Sequence, residues 1–111
     1  MVKQGDIIWL DFDPQSGHEQ KGRRPALIVS NNSFNKLTSH KLAMICPITN
    51  ANKRFPLHIN LQENNKVTGA IMCEQVKVLD IKSRNYEKFD KISDELLDEA
   101  LQMISSISAR E

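Results

Sequence analysis

The residues best suited to chemistry fall between positions 17 and 30, where the chain reads GHEQKGRRPALIVS. Arg24 precedes Pro25, and a proline ring disfavours the helical region for the residue before it, so Arg24 is expected to be extended. Pro25 lacks an N–H and fits best at the start of a strand. An arginine fixed there, beside His18, Glu19, Gln20, Lys21 and Arg23, makes a candidate anion site. A guanidinium fork binds phosphate bidentately and stays charged at any relevant pH. His18 is the only side chain of this loop whose residue type has an unperturbed pKa near neutrality, which makes it a candidate proton carrier. Each group also has a plainer reading: Arg24 as a surface salt bridge, His18 as a solvated imidazole.

The elements that must position these groups follow from the pattern of apolar residues. Residues 5–12 contain Ile7, Ile8, Trp9, Leu10 and Phe12, β-formers without helical period. Their apolar positions fall on both faces, as expected for a strand covered on both sides. Asp13-Pro14 opens a loop, and residues 24–30 form a second strand. Asn31, Asn32 and Ser33 supply caps for a short helix carrying Phe34 and Leu37. Residues 42–49 are a third strand, in which Pro47 argues for an edge or a bulge. Residues 55–61 read as a fourth strand, and residues 67–79 as one long strand or two joined by a bend. Residues 80–91 are charged and read as irregular, with room for a short helix. Ser93 is a good N-cap, with Asp94 and Glu95 at the positive end of the helix dipole. Leu97, Ala100, Leu101, Ile104 and Ser108 then form one stripe, widened by Leu96, Met103 and Ile107. The order, strands first and one long helix last, predicts a single α+β domain over residues 1–111 around an antiparallel sheet.

Composition excludes several classes. No apolar run approaches the ~20 residues needed to cross a bilayer. The N-terminal stretch MVKQGDIIWLDFD has aspartates where a secretory leader would be apolar, so the cytoplasm is the expected compartment. Cys46 and Cys73 sit in apolar runs, without a CxxC or paired histidines, and read as buried thiols, not as a zinc site. The net charge is only +1, but it is unevenly spread. Fourteen Lys and Arg face nine Asp and Glu before Ser93, a balance of +5; from Ser93 onward one Arg faces five acids, a balance of −4. A basic body with an acidic terminal helix is compatible with a polyanion footprint on one face. That acidic polar face suits core packing better than anionic lipid.

The loop-to-strand run Glu19-Gln20, Gly22, Arg24-Pro25 resembles the MazF/PemK family of toxin–antitoxin endoribonucleases. Three further places agree in order and spacing: Gly5-Asp6-Ile7-Ile8-Trp9 with Asp13-Pro14, Pro47-Ile48-Thr49, and Glu74-Gln75-Val76-Lys77 with Asp80. The resemblance implies a small SH3-like antiparallel β-barrel with short inserted helices and a final packed helix. It implies cleavage of single-stranded RNA without metal or cofactor, by attack of the 2′-OH on the adjacent phosphorus. Such a reaction needs a base, an acid and positive charge on the phosphate oxygens. Carried onto this chain, the catalytic positions are Arg24 and Thr49, with His18 at a loop position where some relatives also have histidine. Met72 stands where some relatives carry an arginine, which leaves more of the work to Arg24. Glu19, Gln20, Arg23, Lys53, Arg54, Gln75 and Lys77 are the candidate substrate contacts, the basic ones as phosphate contacts that position without reading sequence. Base choice would fall to loops 13–23, 50–55 and 62–67, which hold few aromatics besides Phe55.

The resemblance also implies a homodimer with substrate in a groove between subunits. A cognate antitoxin would lay a flexible segment across that groove, and DNA would be met only through the antitoxin complex. Two other readings compete. One is a toxin of the same fold that inhibits a protein such as a topoisomerase without cleaving RNA. The other is a non-catalytic RNA-binding barrel, which weak net charge and scarce aromatics disfavour.

Overall fold

A computed structural model describes residues 1–12, 22–51 and 55–111. The run DIIWLD forms strand β1 (Asp6–Asp11), and its apolar residues are divided between two cores. Ile7 packs on one side of the sheet, with Leu27, Val29, Cys46, Ile48 and Ile71. Ile8 and Leu10 pack on the other, with Ala26, Ile28, Ala43 and Ile45. This is the two-residue alternation of a strand whose faces are both buried, as the sequence predicts for residues 5–12.

Strand β2 (Arg23–Ile28) runs antiparallel to β1, with Asp11 opposite Arg23 and Trp9 opposite Pro25. Helix α1 (Asn32–Leu37) follows, its first turn capped by the Asn31 side chain accepting from the Phe34 N–H. Strand β3 (Leu42–Thr49) has the predicted bounds and is the hub of the sheet. It pairs with β2 on one edge. On the other it pairs first with β6 (Lys77–Asp80) and then with β5 (Ala70–Met72). Strand β4 (His58–Asn60) pairs with β5, and β7 (Glu87–Lys91) pairs with β1. Helix α2 (Asp94–Ile107), capped by Ser93 through the Leu96 N–H, seals the first core with Leu96 and Ala100. Leu97, Leu101, Met103 and Ile104 pack around them, whereas Ser108 lies beyond the helix and is exposed. No described helix is long and apolar enough to cross a membrane.

Several expectations change. Among the described residues seven strands form an antiparallel sheet in the order β4-β5-β3-β2-β1-β7, with β6 on β3, and this sheet does not close into the implied barrel. Pro47 is not on an edge strand. It lies opposite Ala26, where the other side of β3 passes from β6, paired up to Ile45, to β5, paired from Ile48. A missing N–H costs little at such a handover, which is why a central strand tolerates it. The fourth strand shrinks from residues 55–61 to His58–Asn60. Residues 67–79 are two strands joined at a bend, a 3-10 turn at Cys73–Gln75. Residues 80–91 contain the short helix, a 3-10 turn at Lys82–Arg84, but also strand β7. Four of the five β7 residues are charged; an edge strand paired through its backbone, with only Phe89 packed on the core, shows no hydrophobic alternation.

Candidate active site

The pairing of β2 with β3 stops at Ala26 opposite Pro47, and prolines stand at positions 25 and 47 where the ladder ends. Neither can donate a further ladder bond. Beyond that point β3 pairs with β5 instead, Thr49 lying opposite Ala70. A cleft of about 310 Å³ opens there. Its walls are Arg23, Arg24 and Pro25 from β2, Ile48, Thr49 and Asn50 from the end of β3, Trp9 from β1, and Val67 and Thr68 from the approach to β5. Continuing the β2–β3 register by two residues sets Arg24 opposite Thr49.

The two adjacent arginines have different surroundings. Arg23 donates through Nη1 to Asp11 Oδ1 at 3.0 Å and to the Asn85 carbonyl at 3.1 Å, and its Nη2 lies 3.4 Å from Glu87 Oε1. The salt bridge that the sequence offers as the plain reading of Arg24 is thus made by Arg23, whose guanidinium is engaged by Asp11, Asn85 and Glu87. Arg24 is exposed and makes no salt bridge with any described residue. Asp11 also accepts from the Asn85 side-chain amide at 2.9 Å. That hydrogen bond, and then the one from Arg23, hold the Asp11 carboxyl below the ordinary aspartate range.

Thr49 Oγ1 accepts from the Ala51 N–H at 3.1 Å, which orients the side chain and leaves its proton to donate. Gly69 brings the neighbouring segment close: its φ is +126°, a backbone that L side chains rarely adopt, and a Cβ there would collide with the Thr49 carbonyl oxygen.

 Residue 69 must therefore be glycine on two counts, a backbone at φ +126° and the lack of room for a side chain against Thr49. The Thr68 hydroxyl donates to Asn50 Oδ1 at 2.9 Å, tying the two walls together. Trp9 stacks on Phe89 of β7, ring centroids 4.9 Å apart, and so forms a rigid aromatic edge of the cleft. The loop before Thr68 is anchored to β7 as well: Asp90 Oδ2 accepts from the Lys66 N–H at 2.8 Å and from the Asn65 amide at 3.1 Å.

The structure brings Arg24, Arg23 and Thr49 to one cleft, and does not bring Gln75 or Lys77 there. Gln75 is exposed on the 3-10 turn, not on a strand, so alternation does not govern it or Glu74. Glu74 accepts or shares a proton with His58 Nε2 at 3.0 Å. Lys77 lies over the Phe12 ring, 5.3 Å from its centroid. His18, Glu19 and Gln20, and likewise Lys53 and Arg54, lie outside the described residues. Sequence reasoning placed Asn50 only in a base-choice loop, and missed Thr68 and Gly69 as parts of the site. A Thr-Gly pair ahead of a β-branched strand is the one signal that points to them.

The chain matches the family described as PemK-like, MazF-like toxin of type II toxin-antitoxin system over residues 3–108. It is 34% identical over 113 residues to endoribonuclease toxin ChpB of Escherichia coli (strain K12), spanning 95% of this chain and 92% of that protein. A crystal structure of MazF from Deinococcus radiodurans superimposes with a TM-score of 0.82 at 34% identity, covering 96% of this chain and 94% of that one. A MazE-MazF structure from the same organism gives a TM-score of 0.83 at 27% identity, covering 99% and 97%. With the fold and nearly the whole sequence in agreement, the chain belongs to the PemK-like, MazF-like toxin family of type II toxin–antitoxin systems.

Proposed function

We propose that this chain is an endoribonuclease toxin that cleaves single-stranded RNA in the cleft between β2 and β3. The observation that carries the reading is the placement of Arg24 and Thr49 on that cleft. Relatives named endoribonucleases, ChpB and PemK of Escherichia coli among them, support it.

In the proposed reaction the 2′ oxygen attacks the adjacent phosphorus. A P–O2′ bond forms, the P–O5′ bond breaks, the 2′ proton passes to a base, and the departing 5′ oxygen takes a proton from an acid. The products are a cyclic phosphate and a 5′-OH. Arg24 neutralises the charge that builds on the phosphate oxygens, which an arginine does better than it donates protons. Thr49 donates its hydroxyl proton to a phosphate oxygen or orients the 2′-OH. His18 is the candidate for proton transfer. The nucleophile is the substrate's own, so this scheme assigns no step to a metal.

The protein is proposed to act in the cytoplasm, as a homodimer restrained by a cognate antitoxin. The solved MazE-MazF structures of Deinococcus radiodurans support an antitoxin partner. The test is incubation with a long single-stranded RNA in excess chelator, followed by mapping of the ends. Cyclic phosphate ends that disappear in Arg24→Ala are the expected result. Absence of cleavage, with inhibition of a topoisomerase instead, would favour the non-cleaving toxin.

A further inference from the structure

One cluster is built more elaborately than its place on the surface requires. The cleft's arginine follows directly on Arg23, and Arg23 faces Asp11 across the β1–β2 ladder. The Asp11 carboxylate takes Arg23 Nη1 on one oxygen, at 3.0 Å, and the Asn85 amide on the other, at 2.9 Å. Arg23 also donates to the Asn85 carbonyl, closing a three-residue ring. Asn85 presents both groups from a left-handed backbone, φ 53° and ψ 46°. Its neighbour Arg84 donates from Nη1 to the carbonyls of Asp11 and Phe12, at 3.1 and 2.7 Å. Phe12 in turn donates its N–H to the Gly22 carbonyl at 2.7 Å. Residues from β1, from β2 and from the turn before β7 therefore converge on the Asp11–Arg23 end of the β1–β2 ladder.

Asp11 and Arg23 both remain partly open to solvent, with side-chain exposures of 20% and 33%. Such pairs contribute little to folding stability. What this ring does is fix direction: it sets the rotation of β2 at Arg23 and so the point from which Arg24 starts. Misplacing a group that acts on the transition state by about 1 Å can cost up to ~10²-fold in rate.

We infer that Asp11, with Arg23 and Asn85, is a positioning unit that holds Arg24 at the cleft for catalysis. The inference rests on the ribonuclease reading and adds to it residues that act through Arg24. Asp11→Ala is expected to lower kcat about tenfold, with KM within about twofold, because the loss falls on transition-state alignment. The decisive measurement is a double-mutant cycle with Arg24→Ala, read in single-turnover cleavage. A residue that works through Arg24 has nothing left to position once Arg24 is gone, so Asp11→Ala should be silent in that background. Asn85→Gly removes the amide while keeping the left-handed backbone, and a severalfold fall in kcat is expected. It decides the matter if Asp11→Ala does not fold. Lys88→Gln breaks the Lys88–Asp6 pair between β7 and β1, away from the ring, and should leave kcat unchanged.

A wild-type kcat in folded Asp11→Ala and Asn85→Gly, or losses that add fully to that of Arg24→Ala, would overturn the inference. A wild-type protein that does not cleave RNA, or an Arg24→Ala variant that cleaves normally, would overturn the ribonuclease reading, and the positioning role with it.

Discussion

Arg24 and Thr49 come from strands that pair as far as Ala26 and Pro47 and then part, and the two residues line the gap left between them. The separation of the strands is what makes a site. Continued pairing would have filled the space with backbone hydrogen bonds. One wall offers a fixed positive charge and the other a hydroxyl already oriented by the Ala51 N–H.

Substitution of Arg24 should therefore separate activity from folding. The side chain is exposed and makes no ion pair with a described residue, so Arg24→Ala should leave the melting temperature nearly unchanged. Cleavage should fall by ~10²–10³, the usual cost of one electrostatic donor. Arg24→Lys should recover only part of this, because an ammonium cannot reproduce the planar fork. Rates and melting curves of the two variants check both statements.

Much of this site was legible in the order of residues. Arg24-Pro25 announces an extended arginine at a strand mouth, and residues 42–49 carry a run of β-formers that ends at Thr49. What could not be read was which of two adjacent arginines would be engaged. The answer depends on Asp11, which is twelve positions away and becomes a neighbour only when β1 and β2 pair. Strand β7 was hidden for a related reason. An edge strand needs one buried side chain and a backbone partner, and EKFDK looks like a solvated turn until Trp9 stacks on Phe89. Closure of the sheet is a property of its two ends, and no local pattern reports it.

Gly69→Ala is expected to damage stability and activity together. The backbone at φ +126° is costly for any L side chain, and the added Cβ meets the Thr49 carbonyl. Relief would require β5 to move away from the end of β3, which would loosen the Thr49–Ala70 pairing that holds Thr49 at the cleft. A loss of more than about 1 kcal/mol is expected in denaturant unfolding, from the incompatible backbone alone. The remaining folded protein should cleave more slowly than wild type.

Trp9 is the only tryptophan in the chain, and it lines the cleft. Its emission should respond to an uncleavable oligonucleotide carrying 2′-O-methyl groups, because an approaching phosphate or base changes the polarity around the indole. The change should saturate with the binding isotherm. Binding seen by anisotropy with no change in Trp9 emission would place the RNA elsewhere.

Acid should loosen the Val67–Thr68 wall through Asp90. Burial works against the charged form of this carboxylate, but the Lys66 N–H, the Asn65 amide and the Lys91 N–H together outweigh it and hold the pKa below the ordinary 3.8. A carboxylate whose folded pKa is depressed adds stability that is fully present above its unfolded value. That contribution is lost as pH falls through the folded value. The Asp90 contribution should thus be intact at neutral pH and decline only below about 4. Asp90→Asn keeps an acceptor oxygen but removes the charge, so it should be less stable than wild type at pH 7, with the gap narrowing as the pH falls below 4. Unfolding free energies of the two proteins measured across that range test the prediction; a gap that stays constant with pH would show that Asp90 holds the loop by shape and not by charge.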